Sequence, residues 1–391
     1  MSAKKAYTAS RPRLLFISAS SGLYGAEQCL VETLKGLNGD YEISVLLPGN
    51  GPLKEKIESL GLSVIIADIK WVGGDGHVLA GIMGIPARVS KLMKIIEERR
   101  IDLIFSNSSV VVDGAIAAKI RKMPHIWHIH EGPINGVKGQ LKRALRSLLV
   151  TMLSERVITV SKGAREFFSL FGGKKFCTIY NGVNVDSYRA VDAEAGGLRE
   201  ELGLSVGYPI VAMVGSLLEN KGQMDLVEAA RLIDSQGTKF YYLVVGTGNK
   251  EYIGRVRKKV DEYGLTQYFR FTGFRSDIPN ILRNIDLFVL ASRREPFGRV
   301  IAEAMACGRP VVATRSGGPE EIVVDRETGL FIPPGSPVDL ARAIKDVLSL
   351  PDGGKGMGLR GKRVVEERFS LKEYQSRISD TIKGVLDRKT A

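Results

Sequence analysis

The chain has 391 residues, of which 44% are hydrophobic and 25% are charged, as in ordinary globular proteins of two domains. No apolar run approaches the roughly 20 residues of a transmembrane helix, and the N-terminus MSAKKAYTAS lacks the apolar core of a signal peptide. We therefore expect a cytoplasmic protein. Three widely separated cysteines favour neither a disulfide framework nor a zinc site.

The net charge of +13 is concentrated in the first half of the chain, where residues 1–190 hold 26 Lys and Arg against 16 Asp and Glu. Nucleic acid, anionic lipid and a phosphorylated substrate are candidate partners for such a surface. The basic residues are not interleaved with aromatic ones, and no nucleic-acid-binding module is recognised. We therefore expect no nucleic-acid partner.

Short apolar runs alternate with helical patterns from residue 13 onward. The first half contains seven runs: RLLFIS, YEISVLLP, SVIIAD, DLIFSN, HIWHIH, RVITVS and FCTIYNG. Between them, segments such as AEQCLVETLKGL and ARVSKLMKIIEERR repeat apolar residues every three or four positions. This βα repeat predicts a parallel sheet covered on both faces.

A polar stretch at residues 190–207 interrupts the alternation, which restarts with six runs: YPIVAMVGS, KFYYLVVGTG, FRFTGF, DLFVLAS, PVVATR and GLFIPP. Residues 355–388 predict two polar helices with a break near Ser370. The fold class is therefore α/β, with Rossmann-like domains at residues 1–190 and 191–370 facing each other across a cleft, and a C-terminal helix at 371–391.

Ligands bind beyond the carboxyl ends of the strands in such sheets, so the loops there are the candidate site. In the first half they include SSGLYGAEQ, where Gly22 and Gly25 either admit a ligand or form a plain turn, and residues 70–86. In the second half, these loops contain Ser216, Lys221, Gly246, Phe274, Arg275 and the segment REPFGRVIAEAMACGRPVVATRSGG at 294–318.

The segment 294–318 predicts a helix over 300–306, with Glu295 just before it and Glu303 about one and a half turns inside. The amides of residues 297–300 would hold phosphate or sugar oxygens, and the carboxylates would accept hydrogen bonds from hydroxyls. A ligand with a diphosphate and many hydroxyls fits this set. The alternative is an ordinary helix whose two glutamates face water.

Metal binding is the less favoured interpretation of the histidines. His125, His128 and His130 share one predicted strand and Glu131 is adjacent, but a distant further ligand is missing. We expect His130 to point into the cleft. No D-x-D sequence occurs, so a diphosphate would depend on Lys221 and helix termini, although a lone lysine is more often simply solvated.

The segment VKGQLKRALRSLLVTML at residues 137–153 predicts a basic amphipathic helix. It carries Lys138, Lys142, Arg143 and Arg146 beside Leu141, Leu145, Leu148 and Leu149. Such a helix can lie on an anionic membrane. The alternative is a surface helix whose apolar stripe packs on the sheet, and both interpretations stay open.

Several segments in order, GLYGAEQCLVETLKGL, HIHEGP, RVITVSKGARE, IYNGVNVDSY, VGSLLENKGQMDLVEAA and above all EPFGRVIAEAMACGRPVVATRSGGPEEIV, resemble glycosyltransferase family 4, whose members have the GT-B fold. The resemblance implies transfer of a sugar from a nucleotide donor with retention of anomeric configuration, without metal or other cofactor. It also implies that the tail helix crosses back onto the first domain.

The resemblance also assigns roles to single residues. Glu295 matches the glutamate that binds donor-sugar hydroxyls, Glu303 the one that binds the ribose, and Lys221 the phosphate-binding lysine. His130 matches a histidine near the sugar, and with Glu295 and Lys221 it forms the implied catalytic set. The remaining implied or loop-based donor contacts are Gly25, Ser216, Gly246, Phe274, Arg275, Phe297, Gly298, Arg299 and Val300.

Two positions depart from the family pattern. Ser216 replaces a phosphate-binding arginine, for which Arg294 or Arg299 is the candidate substitute, and Tyr24 replaces a common glycine. We expect a retaining hexosyltransferase that uses UDP-sugar, or else GDP-sugar. Because no enzymic nucleophile is evident, we expect the acceptor hydroxyl to attack from the front face. The acceptor would be a cell-surface glycan or lipid-linked glycan near residues 70–86 and the basic helix, at the inner face of the membrane. A GT-B epimerase and a catalytically silent sugar-nucleotide-binding protein remain alternatives.

Overall fold

The computed structural model describes residues 11–67, 83–132, 137–188 and 197–390. The chain divides into an N-terminal unit, Met1–Tyr180 with Lys372–Ala391, and a C-terminal unit, Asn181–Leu371. The expected boundary near residue 190 lies outside the described residues, and the observed division falls ten residues earlier. Within the described ranges, no helix is both long and apolar enough to cross a bilayer.

The N-terminal unit contains a seven-stranded parallel sheet in the order β3-β2-β1-β4-β5-β6-β7. Each of the seven apolar runs forms one of its strands. The strands are β1 (Arg13–Ser18), β2 (Glu42–Leu47), β3 (Ser63–Ile66), β4 (Leu103–Asn107), β5 (His125–Ile129), β6 (Arg156–Thr159) and β7 (Phe176–Thr178).

Helices connect these strands and cover the sheet. They are α1 (Gly25–Leu37), α2 (Pro52–Glu58), α3 (Ile85–Glu98), α4 (Val112–Ile120), α5 (Val137–Leu153) and α6 (Lys162–Phe168). The last helix of the chain, which we number α16 (Leu371–Thr390), packs on α1: the Tyr374 and Thr33 hydroxyls are 2.6 Å apart, and Gln375 Nε2 donates to Glu32 O at 2.8 Å.

The C-terminal unit contains a six-stranded parallel sheet in the order β10-β9-β8-β11-β12-β13. Its strands again coincide with the six predicted runs. They are β8 (Ile210–Val214), β9 (Tyr241–Val245), β10 (Phe269–Gly273), β11 (Leu287–Leu290), β12 (Val311–Thr314) and β13 (Gly329–Ile332).

Of the helices described in this unit, five lie between the strands, two precede the sheet and two follow it. They are α7 (Val185–Tyr188), α8 (Gly197–Glu201), α9 (Gln223–Asp234), α10 (Lys250–Glu262), α11 (Ile278–Arg283), α12 (Arg299–Ala306), α13 (Pro319–Ile322), α14 (Pro337–Leu348) and α15 (Lys355–Arg368). The predicted break near Ser370 separates α15 from α16.

Both sheets reverse their strand order at one place, between β1 and β4 in the first and between β8 and β11 in the second. This doubly wound arrangement confirms the predicted α/β fold class with two Rossmann-like units. In each unit, the loops that leave the two strands at the reversal diverge to opposite faces of the sheet and open a crevice, where ligands bind in such folds.

A buried ion pair joins α3 to α4 on one face of the first sheet. Arg88 Nε donates to Asp113 Oδ2 at 2.7 Å, and both side chains are more than nine-tenths buried. Ile17, Leu46, Leu92 and Ile95 line the small cavity beside the pair. An isolated charge at this position is poorly solvated, because the side chain is almost fully buried.

Removing only the cation should therefore destabilise the N-terminal unit strongly. We expect Arg88→Met to cost about 3–5 kcal/mol of unfolding free energy, because the Asp113 carboxylate stays buried without its partner. The double variant Arg88→Met/Asp113→Leu should regain most of that loss, since its apolar side chains suit the neighbouring leucines and isoleucines. Urea unfolding monitored by circular dichroism measures both, and equal losses in the two variants would contradict this account.

Candidate functional site

The loop after β8 carries Lys221 on a short 3-10 turn, Glu219–Lys221, that leads into α9. Gly222 follows in the left-handed region with φ of 79°, and a Cβ atom there would lie 2.2 Å from the carbonyl oxygen of Ala291. Only glycine fits this close approach of the β8 and β11 loops. The glycine after Lys221 thus brings the lysine to the loop that follows β11.

Lys221 and Glu295 form an ion pair at the carboxyl edge of the second sheet. Lys221 Nζ donates to Glu295 Oε2 at 2.7 Å, and Ser292 Oγ donates to the same oxygen at 3.3 Å. The side chains are 27% and 15% exposed, so the pair is accessible to a ligand at one side. The structure thus brings together two predicted catalytic residues separated by 74 positions.

The backbone of Glu295 is fixed by the loop after β12. Its N–H donates to Ser316 O at 3.0 Å, and Gly318 N–H donates to Glu295 O at 2.7 Å. A Cβ on Gly318 would lie 2.2 Å from Phe297 Cα, so the backbones touch. Glu320 in turn accepts hydrogen bonds from the amides of Ser316 and Gly317. The orientation of the Glu295 carboxylate is therefore set by backbone contacts as well as by Lys221.

The predicted helix at 300–306 is observed as α12, Arg299–Ala306. Gly298 precedes it in the left-handed region, with φ of 93°, and offers no side chain to cap the first turn. The positive end of the helix dipole therefore lies within three residues of Glu295. Phe297 is 2% exposed and its ring contacts Phe369 edge-on, so this predicted donor residue has a packed side chain.

Glu303 is 4% exposed on α12, where it pairs with Arg299 one turn earlier: Arg299 Nε lies 2.8 Å from Glu303 Oε1. The Tyr188 hydroxyl also hydrogen-bonds the carboxylate. Burial raises the pKa of Glu303 above its ordinary value, and Arg299 and Tyr188 oppose that rise. Glu303 therefore does not face bulk water, contrary to the ordinary-helix alternative.

Tyr188 is a site residue that sequence reasoning missed. It ends α7 and is 9% exposed. Burial raises the pKa of its hydroxyl, so Tyr188 stays protonated and donates its hydrogen bond to Glu303. The signal was present in the segment IYNGVNVDSY, which contributed to the family resemblance but received no role.

Ser216 lies where the family pattern has a phosphate-binding arginine, and two neighbouring arginines are engaged by carboxylates. The Ser216 carbonyl accepts a hydrogen bond from Gln223 Nε2 at 3.0 Å. Arg299 is engaged by Glu303, and Arg293 on the β11 loop forms an ion pair with Asp225 at 2.9 Å. Arg299, which we considered as a substitute for the missing arginine, is therefore held by the Glu303 carboxylate.

Three further predicted donor residues lie in neighbouring loops. Gly246 has φ of 132°, and a Cβ there would lie 2.0 Å from Gly215 O, so close packing of two loops requires the glycine. Phe274 is 62% exposed. Arg275 forms ion pairs with Glu201 and with Asp277, the latter at 2.8 Å. The Arg275 guanidinium lowers the pKa of the Asp277 carboxyl to about 2.

In the N-terminal unit, His130 follows β5 and contacts the end of the adjacent strand β4. A ring nitrogen, Nε2, lies 2.9 Å from Asn107 Oδ1, and Asn107 Nδ2 donates to Ala26 O at 3.1 Å. This chain of contacts ties His130 to the start of α1 beside Gly25. A Cβ on Gly25 would meet no atom within 4 Å, so packing alone does not explain that glycine.

The other two histidines are buried in the sheet. His128 contacts His130 with 4.1 Å between ring centroids and the two rings tilted by 48°. Burial, with a smaller contribution from His130, puts the His128 pKa far below its usual range. Burial lowers the pKa of His125 to about 3. In the described ranges, no group of three or more His, Cys, Asp and Glu side chains could hold a metal ion.

The carboxylates of Glu131, which follows His130, and of Glu27 received no role in the sequence analysis. Ser108 has a positive φ of 138°. Its hydroxyl donates to the Glu131 carboxylate, and its backbone carbonyl accepts a hydrogen bond from Trp127 Nε1 at 3.0 Å. Glu27 on α1 is 7% exposed, and burial raises its pKa, with Glu131 adding to the effect. The predicted acceptor loop at residues 70–86 lies largely outside the described residues.

Two family models match the chain, one to each half. Residues 24–187 match Glycosyltransferase Family 4, and residues 197–364 match Glycosyl transferases group 1. The chain is a GT-B glycosyltransferase of the family 4 type.

Individual relatives support this assignment. The crystal structure of Anabaena HepE in complex with UDP-glucose has a TM-score of 0.84 and 27% identity, over 95% of this chain and 99% of HepE. An uncharacterized glycosyltransferase of Methanocaldococcus jannaschii is 29% identical over 71% of this chain and 73% of its own. The N,N'-diacetylbacillosaminyl-diphospho-undecaprenol alpha-1,3-N-acetylgalactosaminyltransferase of Campylobacter jejuni is 26% identical over 86% of this chain and 89% of its own length.

The raised pKa of Glu303 gives this glycosyltransferase a measurable pH dependence. The folded protein retains the Glu303 proton above 4.5, where an ordinary glutamate has lost it, so this residue lowers stability as pH rises through the folded-state pKa. We expect Glu303→Gln to raise the melting temperature of the ligand-free protein at pH 8, and the gain to shrink as pH falls towards 4.5.

Differential scanning fluorimetry between pH 4.5 and pH 8 measures this effect. The matched control is Glu327→Gln, which neutralises an exposed glutamate of the same unit and should shift the melting temperature little at any pH. A lower melting temperature of Glu303→Gln at pH 8 would show that Arg299 outweighs the burial cost, contrary to this account.

Proposed function

We propose that the protein transfers a hexose-type sugar from a nucleotide diphosphate sugar, with UDP as the favoured nucleotide and GDP as the next, to a cell-surface glycan or lipid-linked acceptor. Transfer proceeds with retention of configuration and without a metal ion. The observation on which this proposal rests is the arrangement of Lys221, Glu295 and the uncapped start of α12 at one edge of the sheet.

The leaving group of such a transfer is a nucleotide diphosphate, which gains negative charge as the glycosidic bond breaks. Lys221 and the positive end of α12 supply fixed positive charge that stabilises this development more than it stabilises the bound donor. Lys221 and Ser292 both donate to one carboxylate oxygen of Glu295, Oε2. Its other carboxylate oxygen therefore remains for sugar hydroxyls.

Glu303 suits a second pair of hydroxyls, those of the nucleotide ribose. Arg299 and Tyr188 hold its carboxylate in a fixed orientation inside the protein. A hydroxyl that donates to a buried, preoriented carboxylate forms a stronger hydrogen bond than one that donates to a solvated carboxylate. In the N-terminal unit, we assign His130, held by Asn107, to the reacting sugar.

Two relatives support the substrate classes. HepE was crystallised with UDP-glucose, which favours uridine as the base here. The Campylobacter jejuni relative acts, by its name, on a diphospho-undecaprenol-linked sugar, which favours a lipid-linked acceptor at the inner face of the membrane.

A catalytically silent sugar-nucleotide-binding protein is the second candidate, and Ser216 is the observation that favours it. The residue lacks the positive charge of the arginine that the family pattern has there, and Arg299 is committed to Glu303. Turnover distinguishes the candidates. UDP-sugars and GDP-sugars are incubated with and without undecaprenyl-diphosphate-linked glycans, and products are identified by mass spectrometry and by the anomeric proton coupling.

A product formed only with acceptor, in the donor's anomeric configuration and in the presence of EDTA, supports the proposal. Binding of nucleotide without any turnover supports the silent protein. Conversion of the donor without acceptor supports an epimerase. Inversion of configuration or a strict metal requirement would refute the corresponding part of the proposed mechanism.

The role of Lys221 gives a quantitative prediction. We expect Lys221→Met to lower kcat by roughly 10²–10³, as for loss of one charge-stabilising contact, with a smaller change in KM for the donor. The control is Lys258→Met, which removes a lysine that is 79% exposed in the same unit and should leave kcat unchanged. A change confined to KM would mean that Lys221 binds the ground state and transition state equally.

A further inference from the structure

Helix α5 exposes the apolar stripe that an ordinary surface helix buries. Leu141 is 67% exposed, Leu145 59% and Met152 60%, and Leu148 and Leu149 are more than a third exposed. These positions follow one another at helical spacing and so form one stripe. Ser147, Val150 and Ser154 are buried on the opposite side. The alternative in which the leucines pack on the sheet is therefore wrong.

Polar side chains attach the inner face of α5 to the protein. Ser147 Oγ donates to Phe168 O at the end of α6. Arg143 Nε donates to Phe167 O at 2.9 Å, and its guanidinium lies 5.3 Å from the centre of the Phe167 ring. Arg143 is thus a structural contact, although the sequence placed it among the basic residues of the membrane face. These contacts hold the inner face of the helix and leave the outward leucines exposed.

The loop after α6 extends the stripe. Thr151 Oγ1 on α5 donates to Phe171 O at 2.6 Å, and Phe171 N–H donates to Ser147 Oγ at 3.3 Å. Leu170 is 47% exposed and Phe171 44%. We call the combined feature the α5 apolar surface; it comprises Leu141, Leu145, Leu148, Leu149, Met152, Leu170 and Phe171.

The surroundings of the α5 apolar surface are strongly basic. Residues 137–175 contain nine Lys and Arg but two Asp and Glu. Arg165 and Lys174 are exposed, whereas Lys175 donates to Ser154 O at 2.7 Å and to Thr151 O at the end of α5. The side chains of Lys138 and Lys142 lie outside the described part of the structure. Exposed leucines in a segment with this excess of positive charge favour a partner that is apolar and anionic at once.

We propose that the α5 apolar surface is a docking site for an anionic lipid bilayer. Helix α5 would lie in the plane of the interface, with its leucines, Leu170 and Phe171 among the upper acyl chains and the basic side chains among the headgroups. A second copy of this chain fits less well, because a symmetric contact would bring two strongly basic segments together. The reason for docking rests on the proposed function, in which the acceptor is linked to a membrane lipid. Docking itself requires neither donor nor acceptor.

The experiment uses the full-length protein and sedimentation with vesicles of phosphatidylcholine alone or with 30% phosphatidylglycerol. We expect at least tenfold tighter binding to the anionic vesicles, weakened by added salt. The variant Leu145→Ser/Met152→Ser should bind them at least tenfold more weakly. The matched control is Val206→Ser/Leu359→Ser in the C-terminal unit, whose original side chains are 94% and 58% exposed, and it should bind as the wild type does.

A second variant, Arg165→Glu/Lys174→Glu, tests the charge separately from the leucines. It should lose the preference for anionic over neutral vesicles. Because all these side chains are exposed, the variants should keep the melting temperature and UDP affinity of the wild type, which separates failure of docking from failure of the donor site. Equal wild-type binding to both vesicles, or unchanged binding by Leu145→Ser/Met152→Ser, would overturn the proposal. So would a wild-type dimer in light scattering that this variant dissociates, in the absence of vesicle binding.

Discussion

The candidate site depends above all on the fixation of Glu295. Its carboxylate meets Lys221 from the β8 loop, and its backbone is hydrogen-bonded on both sides to the loop after β12. Three strand-end loops therefore converge on one residue, and glycines at 222 and 318 allow their backbones to touch. Since β11 and β12 are fully buried and β8 is buried except at its last residue, the positions of these loops are set by the sheet. A nucleotide sugar would meet a preorganised edge.

The second carboxylate shows the cost of such an arrangement. Glu303 sits where its charge is poorly solvated, so burial raises its pKa despite Arg299 and Tyr188. A neutral residue would suit the empty protein better. Two ribose hydroxyls that donate to the carboxylate would restore part of the hydration it has lost. Acids with perturbed pKa values are common in binding sites, which agrees with the role we propose for Glu303.

Most of the fold could be predicted from the sequence, because buried parallel strands are continuous apolar runs and all thirteen runs became strands. The helix with Glu295 before it and Glu303 inside was predictable for the same local reason. The contacts of Tyr188 and Asn107 were not, since they depend on which chain segments the sheet order brings together. The outward leucines of α5 were equally ambiguous, because periodicity identifies a stripe but not the face that is covered.

The central claim, that Glu303 holds the ribose of a nucleotide donor, is tested most directly by calorimetry with UDP and 2′,3′-dideoxy-UDP. The account predicts that the wild type prefers UDP by about tenfold or more, as for a hydrogen bond to a charged group. It predicts that Glu303→Gln loses most of this preference while Glu327→Gln retains it. Equal affinity of the wild type for both nucleotides, or a preference that Glu303→Gln preserves, would contradict the account.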